Sequence, residues 1–246
     1  MKKLIFALFF ALGLNAGELN VAAAANVTYP MEDIKAEFAK LHPDIKLNVS
    51  LGASGNFAAQ IRNGAPFDVF LAANMKYADD LFKEGFAVEA AKIYANGKLA
   101  LFSARDFDLS KGLEILKDDK VKTITIANPK TAPYGVASMQ AFEKTGILND
   151  IKSKIIEAKS IGDALNQAIN ASDVGLVAAS SMFSKKTVEY KEGKNFVLVD
   201  KSLYDPISQG IVILKKAEKN ADAKAFYDFI LSDKCKEIFR KYGYEI

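Results

Sequence analysis

Four short stretches place small, hydroxyl and amide residues where a strand should hand over to a helix. They are Ala22–Asn26, Gly52–Asn56, Asn128–Gly135 and Ala158–Gly162. Such turns share one chemistry. The first backbone N–H groups of a helix have no intrahelical acceptor, and the aligned peptide dipoles place about half a positive charge there. An anion is held at such a point without Lys or Arg. Gly and Ala let the backbone come close, and Ser or Asn adds side-chain donors. Ser, Asn and Gly are also ordinary helix caps, so one turn alone favours capping. Four turns, two in each half of the chain, raise anion binding to an even alternative.

Other chemistries fit the same residues less well. Ser54 stands between glycines, but Gly52-Ala-Ser54-Gly55 lacks the last glycine of a nucleophile elbow. The chain's only histidine, His42, lies before Pro43 at the opposite end of the strand that leads to Ser54, where it cannot act as a base. A serine hydrolase using Ser54 is therefore a remote alternative. No Gly-Lys-Ser/Thr loop for a nucleotide occurs. The one cysteine, Cys235, rules out an intrachain disulfide and a Cys-based metal site. It falls on an amphipathic C-terminal segment, where a buried structural thiol is expected. No catalytic residue, cofactor or direct metal ligand is expected.

The elements that must position the turns follow from periodicity. Segments 18–22, 45–50 and 67–72 read as strands, and 30–41 and 57–62 as helices. This strand–helix alternation predicts a parallel α/β sheet. It recurs as strand 122–127, helix 136–144, helix 162–171 and strand 174–179. Two strand-like runs, 97–103 and 207–214, bracket that middle section, and a single helix is expected over 224–242. Two α/β lobes joined by two crossing strands account for this order. Lobe one takes residues 17–96 and 206–246, and lobe two takes 97–205.

Residues 1–16 stand apart. Lys2 and Lys3 precede an apolar run from Leu4 to Leu14, too short for the roughly 20 residues of a membrane span and right for an export signal cleaved near Ala16. Without those two lysines the net charge falls from +3 to +1, which argues against a nucleic-acid partner.

Read together, "VAAAAN", "SGNFAAQIRNGAPFDVFLAA", "ANPKTAPYG", "AKSIGDAL" and the ending "AKAFYDFILSDKCKEIFRKYGY" resemble the periplasmic molybdate-binding proteins of ABC transporters, across essentially the whole mature chain. The resemblance implies a type II periplasmic solute-binding fold, with mixed sheets flanked by helices and two crossing strands as hinge. It implies a monomeric periplasmic protein that grips molybdate or tungstate with neutral donors and passes it to a membrane permease. Carried over by position, the side-chain ligands fall on Asn26 and Ser54, and backbone N–H donors on Tyr134 and Ile161. Some members also use a tyrosine where this chain has Ala178, so either the Tyr134 phenol joins the site or one donor is missing. Another tetrahedral oxyanion, sulfate or phosphate, is the nearest rival ligand. An α-amino group would want a carboxylate partner, and none of the four turns contains Asp or Glu.

Overall fold

The computed structural model describes residues 17–246. The leader expected over residues 1–16 lies outside the described residues.

The first lobe is built on β1 (Gly17–Ala24), β2 (Ile45–Gly52), β3 (Val69–Ala72), β4 (Lys92–Gly97) and β10 (Ile207–Ile213). Their order across the sheet is β2-β1-β3-β10-β4. β1 runs parallel to β2 and β3, whereas β10 is antiparallel to β3 and β4. Strand alternation sorts the side chains to two faces. Leu19, Val21 and Ala23 of β1 share a core with α1 (Thr28–Leu41), α7 (Ala221–Leu231) and α8 (Asp233–Lys241). Ala22, Phe70 and Ala72 point the other way, onto α2 (Ser54–Arg62) and α3 (Met75–Lys83). Both faces are covered, so β3 reads as an unbroken apolar run.

The second lobe repeats the plan. Its strands are β5 (Leu99–Phe102), β6 (Ile124–Ala127), β7 (Ile155–Ala158), β8 (Val174–Ala178) and β9 (Phe196–Leu198), in the order β7-β6-β8-β5-β9. β6 is parallel to β7 and β8, and β5 is antiparallel to β8 and β9. One face packs on α4 (Pro133–Lys144) and the short α5 (Leu148–Ile151), the other on α6 (Ile161–Asn170).

The chain passes between the sheets twice, at Lys98 and again between β9 and β10. The runs 97–103 and 207–214 therefore lie mostly just beyond the crossings: Leu99–Phe102 belongs to the second sheet and Ile207–Ile213 to the first. The C-terminal helix expected as one piece is two. Ser232 has extended backbone (φ −70°, ψ 158°), and its hydroxyl accepts from the Cys235 N–H, so it ends α7 and caps α8. Cys235 is buried, as expected, and burial pushes its thiol up to about 12.

In each lobe the parallel strands end on the same side. The turns after β1, β2, β6 and β7 therefore converge at the carboxyl ends of two facing sheets, where ligands bind in open α/β architectures.

Candidate oxyanion-binding site

The four turns close around a small cavity. Asn26, Ser54, Tyr134 and Ile161 all line it, with Gly52, Ala53, Ala73 and Ala132 among their neighbours. None of the lining residues carries a charge. All four expected site residues are thus brought together, and each is buried: Asn26 is 0 % exposed, Ser54 1 %, Tyr134 1 % and Ile161 5 %.

Three helices start at this cavity, and their caps separate ordinary capping from anion binding. α2 begins at Ser54 after Ala53, and α4 begins at Pro133 after Ala132; neither N-cap supplies a side-chain hydrogen bond. Alanine is among the poorest N-caps, so these starts leave backbone donors for another partner. α6 is different. Ser160 caps it in the usual way, accepting from the Asp163 N–H at 3.2 Å and donating to its Oδ2 at 2.8 Å. Ile161 follows as the first helical residue, and its N–H has no acceptor inside the helix.

Ser54 is not a cap. Its Oγ accepts a hydrogen bond from the Ala73 N–H at 2.9 Å, which fixes the hydroxyl and leaves its own proton to donate. Ser54→Ala removes that donor and strands the buried Ala73 N–H, so ligand-free stability should fall by about 1–3 kcal/mol. A urea titration of the variant checks this; an unchanged midpoint would contradict the geometry.

Asn26 sits in a short 3-10 turn between β1 and α1. Its Nδ2 donates to Gln209 Oε1 at 2.7 Å and to the Tyr244 hydroxyl at 2.8 Å, and its Oδ1 is buried with no partner. The Tyr134 phenol turns towards the crossing between the sheets. It lies 3.4 Å from Gln209 Nε2 and against Gly97, where any Cβ would fall 2.1 Å from the hydroxyl. Burial pushes Tyr244 up to about 12 and Tyr94 and Tyr134 well above the usual range, so these phenols stay neutral. Ala178 is fully buried at the end of β8 and presents only a methyl group.

Gln209 and Tyr244 were missed by sequence reasoning. A lone glutamine inside the buried strand "ISQGIVI" was the available signal for the first. Tyr244 lies in the terminal "KYGY", which carried a resemblance but no assigned role.

The lobes touch on both sides of the cavity. On one side the Gly55 N–H donates to the Thr131 carbonyl at 2.8 Å, and the Tyr77 hydroxyl to the Lys130 carbonyl at 3.2 Å. On the other, Ser180 Oγ donates to the Asn26 carbonyl at 2.9 Å, and Lys186 pairs with Glu32. The glycines expected to give an anion room have other neighbours: Gly52 lies against the Phe57 ring, and Gly55 meets Tyr77 and Thr131. Among the described residues, no group of three or more His, Cys, Asp or Glu is placed to hold a metal ion. The arrangement suits a small anion surrounded by neutral donors.

Residues 19–245 match the sequence profile of the bacterial extracellular solute-binding proteins. The chain is 39 % identical to the molybdate-binding protein ModA of Azotobacter vinelandii over 249 residues, 99 % of this chain and 97 % of that one. It is 38 % identical to ModA of Rhodobacter capsulatus, covering 95 % and 90 %. The solved structure of the Azotobacter vinelandii periplasmic molybdate-binding protein superposes with a TM-score of 0.86 at 32 % identity, over 93 % of this chain and 99 % of that one.

Proposed function

The chain belongs to the bacterial extracellular solute-binding proteins and, within them, to the molybdate-binding proteins, and from that membership we propose how its site works. It is the solute-binding protein of an ABC transporter and captures molybdate. Asn26 and Ser54 donate from the first lobe through their side chains, and Tyr134 and Ile161 from the second through their backbone N–H groups. Lobe one comprises residues 17–96 and 206–246, and lobe two residues 97–205. The protein works as a monomer in the periplasm after export and cleavage near Ala16, delivers the anion to a membrane permease, and catalyses no reaction.

One observation carries this reading: a buried cavity lined by donors from both lobes and by no charged side chain. A hydrogen bond to a charged group contributes roughly 1.5–3 kcal/mol. Several of them, less the desolvation and closure costs, reach the ~12 kcal/mol of nanomolar binding. Donors without a carboxylate among them suit a fully deprotonated dianion and offer nothing to an anion that must donate a proton. Size then separates molybdate from sulfate, because metal–oxygen bonds are longer than sulfur–oxygen bonds. Tungstate has the same shape and charge and is bound as well.

Thermal unfolding tests the ligand class. Molybdate or tungstate at 100-fold excess over its dissociation constant should add about 2.7 kcal/mol, or roughly 5–10 °C for a chain of this size. Sulfate and phosphate at the same concentration should give a smaller shift. A larger shift with sulfate would replace molybdate by the rival anion.

A further inference from the structure

Asn26 and Gln209 are both fully buried, and their amides face one another. As placed, the Asn26 Nδ2 hydrogens go to Gln209 Oε1 and the Tyr244 hydroxyl. The Asn26 Oδ1 is left as an unpartnered buried acceptor in a residue that lines the anion cavity. A carbonyl oxygen there would repel a dianion that has no proton to give.

The two ends of a side-chain amide have nearly the same shape, so its partners decide which way it turns. A concerted half-turn of both amides exchanges donor for acceptor between them, and the Tyr244 proton moves from the Asn26 backbone carbonyl to Asn26 Oδ1. Gln209 Nε2 then donates to Asn26 Oδ1 across the 2.7 Å contact and to the Tyr94 hydroxyl across the 3.0 Å contact. Tyr94 passes its own proton to the Ala72 carbonyl. Gln209 Oε1 accepts from the Tyr134 hydroxyl, and Asn26 Oδ1 also accepts from Tyr244. Ser180 still donates to the Asn26 carbonyl. Every other member is then paired, and the Asn26 Nδ2 hydrogens take over the unpartnered position, where a bound anion is their acceptor. With the anion accepting from Asn26 Nδ2 the turned network is satisfied throughout, and that arrangement is favoured over one that points an orphaned acceptor at a dianion.

We propose that Gln209 is the positioning residue that turns the Asn26 amide so that its N–H groups, and not its carbonyl, meet the anion. The proposal rests on the reading of Asn26 as a ligand. Gln209 does not line the anion cavity and acts through Asn26. It lies on β10 beside a register shift between Gln209 and Gly210, next to the strand crossing, and also holds the Tyr134 phenol of the second lobe. The residue that orients the ligand amide therefore stands where the lobes join, and the amide is set as a donor when the lobes come together.

A double-mutant cycle on the full mature protein tests this by calorimetric titration with molybdate. Gln209→Met keeps the volume and removes both polar ends. It should weaken binding by about tenfold or more in the wild-type background and by less than about threefold once Asn26→Ala has removed the group it orients. Equal losses in the two backgrounds would overturn the positioning role. If Asn26→Ala leaves affinity unchanged, the ligand reading itself fails, and the cycle separates that result from the other. A second measurement needs no variant. The side-chain ¹⁵N amide resonance of Asn26 should move when molybdate is added to the wild-type protein, and a resonance that stays in place would overturn the proposal.

Discussion

Ile161→Pro should weaken molybdate binding by about tenfold to a hundredfold while α6 stays folded. Ile161 is the first residue of that helix, where proline is well tolerated because its missing N–H has no helical acceptor. The preceding residue also permits the change: Ser160 is extended (φ −146°, ψ 172°), the conformation a residue before proline prefers. The substitution therefore removes one backbone donor from the cavity and little else, apart from part of a buried side chain. Losing one hydrogen bond to a charged ligand corresponds to roughly 1.5–3 kcal/mol. Circular dichroism should report an intact fold, and calorimetry the weaker binding. Unchanged affinity would remove Ile161 from the site.

Gly55→Ala should separate stability from binding even more sharply. Gly55 lies inside α2, where replacing glycine by alanine favours the helix by up to about 1 kcal/mol. A Cβ there would fall 2.7 Å from the Tyr77 hydroxyl and 3.0 Å from the Cα and carbonyl oxygen of Thr131. Tyr77 is in the same lobe as Gly55 and can shift with it. Thr131 is backbone of the facing lobe and has to back away. The Gly55 N–H to Thr131 contact then opens, and Tyr134, three residues on from Thr131, retreats from the anion. The ligand-free protein should melt no lower than the wild type, yet molybdate affinity should fall by about a hundredfold or more if two second-lobe donors are lost. Equal affinity in the two proteins would mean that the lobes need not close this tightly.

Much of the fold was legible in the sequence because covered parallel strands and amphipathic helices leave strong periodic signals. Val69–Ala72 is apolar throughout, and Met31, Ile34 and Phe38 recur at helical spacing on α1. The break at Ser232 was hidden because Phe226, Phe229, Ile230, Ile238 and Phe239 keep one apolar face across both helices. Only the backbone of Ser232 marks the turn. The four turns could be singled out because a helix start rich in Ala, Ser and Asn has a chemistry of its own; the residues within them were named from the family resemblance, and the cavity gathers all four.

What the sequence could not convey is who pairs with whom. Ser54 resembles a cap until its Oγ is seen to accept from Ala73. Gly55 resembles room for a ligand until Thr131 closes over it. Gln209 lies 183 positions from Asn26 along the chain, and no local pattern links them. Such contacts are made by the meeting of two lobes, and a one-dimensional reading has no signal for them.

The most direct test of a neutral, donor-lined molybdate site is a calorimetric titration of the mature protein with molybdate, tungstate and sulfate side by side. One anion per chain should bind for molybdate and for tungstate, with dissociation constants in the nanomolar range. Their affinities should hold steady across neutral pH, since no charged side chain lines the cavity, and sulfate should bind far more weakly. Absence of binding by both metal oxyanions, or sulfate binding as tightly as molybdate, would contradict it.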